Sequence, residues 1–225
     1  MDARAVGKRA RLAASRLRVT AWPIEELARR AGLLPYRTER WSVEEWQSAY
    51  RSGQLDYFAS LPELPRYAVL AGYLTRFGAD RSLLDVGCGQ GILRRMLDGI
   101  PFRTYVGVDV SDSALESANA LADSRTTFVH GDVMDVELPP ADVVVLNEVL
   151  YYAEDPAAML GRIDGLLPDG GVVLTSMWRH GGDRTLWKLL DRRYGLVDAT
   201  DVRSLLNTVA KRGWRVSCHL VRKGS

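Results

Sequence analysis

Two cysteines in 225 residues, Cys88 and Cys218, are too few for a disulfide framework, and neither has metal-ligand spacing. A reducing, cytoplasmic setting and no metal are therefore expected. Lysine is nearly as scarce, with four against 26 arginines, a bias best read as GC-rich coding rather than selected arginine chemistry. No apolar run approaches the ~18 residues of a membrane span, because Asp, Glu, Gly or Pro cuts every strand-like run. The basic N-terminus lacks the apolar stretch of a secretory signal. Net charge is small as well: 30 basic and 28 acidic residues leave +2, so no global field points to nucleic acid. One local excess remains, Arg4, Lys8, Arg9, Arg11, Arg16 and Arg18 against Asp2 alone, and it reads as a solvated helix.

What is present is ordinary globular composition, 47% hydrophobic and 26% charged. Residues 1–80 read as helices with aromatic punctuation. Pro23 suits the first turn of a helix over 24–31, closed by Gly32. Ser42 and Glu45 form a capping box that opens a helix ended by Gly53. Pro65 opens another, carrying Val69, Leu70, Tyr73, Leu74 and Phe77 at helical period, with Gly78 as its stop. From Ser82 the texture changes to alternating strands and helices. Strands are expected at 83–86, 105–108, 127–129, 143–146 and 172–176, and helices near 91–97, 113–121 and 156–167. The strands are almost wholly apolar, as a parallel sheet covered on both faces requires. The fold class is therefore α/β, a doubly wound, mostly parallel, Rossmann-like sheet, with ligands outside the carboxyl ends of its strands. A helix over 201–212 and a strand over 215–221 are expected to finish the chain.

The most informative run is Leu83-Leu84-Asp85-Val86-Gly87-Cys88-Gly89-Gln90-Gly91. A buried strand enters a turn in which Gly87 and Gly89 let backbone approach a ligand. The third glycine falls one residue short of the dinucleotide fingerprint, and Ile92 holds its place, which counts against NAD. Asp109 ends the next strand, where a carboxylate can accept both hydroxyls of a ribose.

These residues, with Gly131-Asp132-Val133 and Leu166-Leu167-Pro168-Asp169-Gly170-Gly171, resemble the class I S-adenosylmethionine-dependent methyltransferases, and the run after strand four, 147–152, resembles their small-molecule branch. The resemblance spans roughly 81–177. It implies a methyltransferase domain over 81–225 and an N-terminal cover over 1–80 whose Trp41, Trp46, Tyr50, Tyr57, Phe58, Tyr67 and Tyr73 wall the cleft. It implies S-adenosylmethionine as cofactor, with S-adenosylhomocysteine as product. Gly87 and Gly89 would pass beneath it, beside Cys88, a small residue in a crowded turn. Asp85 would orient the loop or meet the ammonium, Asp109 would take the ribose, and Val110 would flank the adenine. Asp132 and Val133 would read the adenine edge, and Asn147 would face the amino-acid end. Arg66 is a weaker candidate for an anionic group.

Methyl transfer is an in-line displacement, served mainly by orientation. A base helps when the acceptor is a hydroxyl. The candidates beyond strands four and five are Glu148, Tyr152 and His180, with Tyr151 and Tyr152 also read as pocket walls. The expected partner is a small-molecule acceptor, a hydroxyl or amine of a natural product or sugar. A membrane role is not expected, and an oligomer is allowed. Three rival readings stand. A nicotinamide oxidoreductase lacks support from the glycine spacing, and no lysine has a tyrosine four residues before it. An RNA methyltransferase would use the basic N-terminus, though the run at Asn147 lacks the Asn/Asp-Pro-Pro-aromatic pattern of base-methylating enzymes. A silent cofactor sensor is the third. Finally, with the sixth strand placed at 214–221, nothing follows it to form the family's antiparallel seventh, so another segment or a partner subunit is expected to cover that edge.

Overall fold

Strands form where Val and Leu run without polar interruption. In the computed structural model, which describes residues 41–179, 184–204 and 213–223, five of them lie parallel. These are β1 (Ser82–Val86), β2 (Thr104–Asp109), β3 (Thr126–His130), β4 (Val143–Asn147) and β5 (Val172–Trp178). With β6 (Gly195–Arg203) and β7 (Gly213–Leu220) they make one sheet in the order β3-β2-β1-β4-β5-β7-β6. The order reverses between β1 and β4, so the strand ends diverge there and leave a crevice at their carboxyl side.

Both faces of the sheet are covered, which explains why its central strands are mostly apolar on both sides. Successive side chains point to opposite faces. Leu84, Val86, Val144, Leu146 and Val173 pack on one side with α5 (Pro156–Leu166) and α6 (Arg184–Arg193). Leu83, Val143, Val145, Val172 and Leu174 pack on the other, under Tyr67, Leu70 and Leu74 of α2 (Leu64–Phe77) and Leu93 of α3 (Ile92–Arg95). The remaining helices are α1 (Val43–Arg51) and α4 (Asp112–Ala118).

The sequence signals at Ser42 and Pro65 hold. The Ser42–Glu45 capping box is formed in both directions, at 2.7 and 3.2 Å. Ser111 caps α4, and Asp155 caps α5 through Ala157 and Ala158. Helix α3 is shorter than its apolar pattern suggests, because Met96 already closes it. The helix expected over 24–31 lies outside the described residues.

The C-terminal expectation fails. Residues 201–203 are strand, not helix, and belong to β6. The stretch read as the sixth strand is β7, which runs antiparallel between β5 and β6. No second chain is needed to cover β5, since β7 does so along seven residue pairs from Val172–Leu220 to Trp178–Trp214. The cause of the misreading is physical. β6 is the outer strand and mostly exposed, so its sequence, GLVDATDVR, lacks the apolar density that marks the buried strands. β7 is interior and carries that density.

The topology makes a direct prediction. Val216 is fully buried in β7, whereas Leu196 on β6 is half exposed. Val216→Asp should cost about 3 kcal/mol or more, the scale of an uncompensated buried charge. Leu196→Asp should stay within about 1 kcal/mol, as surface changes do. Urea unfolding of the two variants measures the difference, and equal losses would contradict an interior β7.

Candidate active site

A cavity of about 620 Å³ opens at the carboxyl ends of β1, β2 and β4, where the order of the strands reverses. Its floor is the glycine turn. Gly87, Gly89 and Gly91 have φ of +68°, +53° and +72°, the left-handed region that favours glycine. A Cβ on Gly89 would stand 2.8 Å from the Tyr50 hydroxyl, and one on Gly87 2.6 Å from Val149. The turn is thus glycine for backbone and for space.

Two buried carboxylates shape this floor. Asp109 Oδ2 accepts the Gly89 N–H at 2.8 Å and Oδ1 accepts the Ser111 N–H at 2.9 Å. Burial pushes its pKa up, while the backbone donors pull it down. Asp109 therefore holds the turn in place as well as facing the cavity. Asp85 is 2% exposed. Its Oδ2 accepts the Tyr105 hydroxyl at 2.5 Å, whereas Oδ1 is buried with no hydrogen-bond partner. Burial raises its pKa to about 7. A buried, unpartnered carboxylate oxygen on a residue that lines a cavity is costly unless a donor arrives from outside the chain.

Beyond the floor, Asp132 Oδ1 accepts the Met134 N–H, which makes it a turn former that also lines the cavity beside Val133. Val110 lines the same side, and its carbonyl contacts His130 Nε2 at 3.1 Å. Cys88 is buried, with its thiol pKa raised well above the usual value by burial and by Asp85 and Asp109, as suits an inert small residue.

The opposite wall is aromatic. Trp41 lies 4.6 Å from Trp46, and Trp46 meets Tyr152 edge-on at 4.9 Å. Tyr50, Phe58 and Tyr67 also line the cavity. Of the aromatics singled out in the N-terminal part, Tyr57 and Tyr73 do not. Tyr73 instead bonds Asp198 on β6 at 2.8 Å.

Arg66 carries more of the site than sequence reasoning assigned to it. It is 1% exposed, and its guanidinium reaches Glu63, Tyr67 and, across from α2 to the end of β4, the Asn147 side-chain oxygen. Its charge lies 4.1 Å from the Tyr67 ring. The link from this buried arginine, in the first turn of α2, to Asn147 has no signature in sequence, since the two are 81 positions apart. The Asp85–Tyr105 bond escaped notice for the same reason.

Glu148 has a left-handed backbone, φ +60°, at the exit of β4. Such a non-glycine residue carries about 1–3 kcal/mol of strain. Its carboxylate accepts from the Tyr151 hydroxyl at 2.6 Å, the Ser176 hydroxyl at 3.1 Å and the Trp178 N–H at 3.2 Å. Burial raises its pKa against these donors and the Arg66 charge. Glu148 thus ties the ends of β4 and β5 together. Tyr152 lines the cavity with its pKa pushed up to about 12, which suits a wall more than a proton carrier. His180 lies outside the described residues. No group of three or more metal-ligating side chains occurs among the described residues.

With this geometry in view, comparison with known proteins is informative. The Methyltransferase domain family profile matches residues 57–219, so the chain belongs to that family, and its sheet has the fold of the class I S-adenosylmethionine-dependent methyltransferases. An uncharacterized methyltransferase of Mycobacterium bovis is 37% identical over 115 residues, covering 48% of this chain and 56% of the relative. The malonyl-(acyl-carrier protein) O-methyltransferase of Halalkalibacterium halodurans is 31% identical over 149 residues, covering 60% and 53%. The chain thus spans about half the length of these curated relatives. Among solved structures, the N-methyltransferase NodS of Bradyrhizobium japonicum, in complex with S-adenosylhomocysteine, superposes with a TM-score of 0.67. That match covers 79% of this chain and 98% of NodS at 17% identity, a likeness of fold.

The residues present fit the family's methyl donor. The orphaned Asp85 oxygen suits an ammonium, and the glycine turn leaves room for it. Linkage then has a definite sign. Asp85 has its pKa raised in the free protein, so ionising it costs folding stability as pH rises from about 4 through about 7. Asp85→Asn should melt at a higher temperature than the parent at pH 8 and at the same temperature near pH 4. The same variant should lose affinity for S-adenosylhomocysteine at pH 8. Scanning calorimetry and titration calorimetry check the two effects, and an unstabilised variant that binds normally would refute the assignment.

Proposed function

We propose that this cavity transfers a methyl group from S-adenosylmethionine to a hydroxyl or amine of a small molecule. The observation that carries the reading is the pairing of an unpartnered, buried Asp85 oxygen with Asp109 and the glycine turn between them. When bound, the cofactor supplies a methyl on a positively charged sulfur, which makes that carbon electrophilic. The chain's own residues then bind and orient. Asp109 would accept from ribose hydroxyls while keeping its backbone bonds. Asp132, Val133 and Val110 border the space for the base. Asn147 and Arg66 stand at the amino-acid end, where a guanidinium suits a carboxylate.

The described part of the N-terminal 80 residues supports its reading as a cover, since α1 and the residues on either side of it bring Trp41, Trp46, Tyr50 and Phe58 to the cavity. These walls exclude water from the reacting atoms. Residues 81–225 would form the catalytic unit. His180 remains our candidate base for a hydroxyl acceptor because it follows β5, and Glu148 with its three donors is better suited to positioning. Among the described residues no helix is long and apolar enough to cross a membrane.

Titration calorimetry with S-adenosylhomocysteine and with NADH tests this reading. Saturable binding of the first and none of the second is expected. Asp109→Asn should weaken the first by about 1–3 kcal/mol, the cost of mispairing hydrogen-bonding groups. Unchanged affinity in that variant would remove Asp109 from the ribose, and binding of NADH alone would overturn the function.

A further inference from the structure

We infer that Arg162, which does not line the cavity, is a positioning residue that sets the base selectivity of the cofactor site. The inference rests on the reading of this cavity as an S-adenosylmethionine site and deepens it at the adenine end. There the wall is the turn after β3, where Gly131, Asp132, Val133, Met134 and Asp135 line the cavity. Arg162 stands behind that turn on α5 and offers it one edge of its guanidinium. Nη2 donates to the Val136 carbonyl at 2.9 Å, and Nε donates to the Val133 carbonyl at 3.3 Å. A planar guanidinium fixes the angle between two such donors, and so fixes how the two carbonyls lie relative to each other.

The turn's other bonds leave that task to Arg162. Gly131 N–H donates to the Asp109 carbonyl at 2.9 Å, which anchors the start of the turn to β2. The Asp132 carbonyl accepts from the Asp135 and Val136 N–H groups, each at 3.0 Å. Those two bonds close the turn on itself and do not tie it to α5. It closes tightly: Gly131 has φ +141°, and a Cβ there would stand 2.3 Å from Val136 Cγ1. Helical spacing puts Arg162 on the same face of α5 as Ala158 and Met159, which line the cavity. One face of α5 therefore forms part of the cavity wall and supports the turn beside it.

The turn presents an acceptor next to a donor. Asp132 spends Oδ1 on the Met134 N–H at 2.9 Å. Among the described residues neither its Oδ2 nor the Val133 N–H has a hydrogen-bond partner. Adenine matches that pair, because its amino group donates and its adjacent ring nitrogen accepts. Hypoxanthine reverses both, with a carbonyl oxygen against the carboxylate and a ring N–H against the Val133 amide. Mispaired groups of this kind are costly only while the turn is held in place. Arg162 holds it, through the carbonyl of Val133 itself.

The test titrates S-adenosylhomocysteine and S-inosylhomocysteine against the full chain and its Arg162→Ala and Arg162→Lys variants, with melting temperatures measured alongside. The parent should prefer the adenine ligand about tenfold or more. Arg162→Ala should bind that ligand about fivefold more weakly, yet bind S-inosylhomocysteine no more weakly than the parent does, so the ratio falls. Arg162→Lys, with one point charge for two carbonyls, should lie between them. A purely structural role would weaken both ligands alike and leave the ratio unchanged, whatever happens to the melting temperature. An unchanged ratio in both variants, or in the lysine variant alone where the alanine variant does not fold, overturns the inference. A parent that binds the two ligands equally, or prefers S-inosylhomocysteine, overturns it as well. Either result leaves the methyltransferase reading standing. If the parent binds neither ligand, both fail.

Discussion

A carboxylate held out of water at the end of the first strand is the constraint on which the site depends. Asp85 can sit there only because Tyr105, from the neighbouring β2, donates to one of its oxygens. The other oxygen is buried without a partner, on a residue that lines the cavity. Folding thus tolerates an unmet hydrogen bond that a ligand can meet, an arrangement common at functional sites. Asp109 plays the complementary part. Its two oxygens hold the Gly89 and Ser111 amides, so the turn is shaped before any ligand arrives.

The sheet supplies the place and the N-terminal helices supply the enclosure. Apolar strands stacked between two helical layers bring the ends of β1, β2 and β4 together where their order reverses. Helix α2 lies in the packed core through Leu70 and Leu74, and the same helix delivers Arg66 to Asn147. Core packing and site assembly are therefore one event at this helix. Glu148, in its strained backbone, braces the ends of β4 and β5.

Much of this was legible in the sequence, for reasons that also explain what was not. The parallel strands announce themselves because burial on both faces demands continuous apolar residues. The glycine turn and Asp109 are readable because local spacing determines them. The cap at Ser42 was readable because its side chain bonds an amide three residues away. The exposed strand β6 escaped because an edge strand has no need of apolar density, and missing it displaced β7 by one place in the order. The bonds from Arg66 to Asn147 and from Tyr105 to Asp85 escaped because these partners are distant in sequence and meet only in the folded chain.

The most direct test of the account is a crystal structure of this chain with S-adenosylhomocysteine. The account predicts the ligand's amino group within hydrogen-bonding distance of Asp85 Oδ1, its ribose on Asp109, and the aromatic wall of Trp46 and Tyr152 facing its sulfur. A ligand whose amino-acid end lies away from Asp85, with that oxygen still unpartnered, would contradict it.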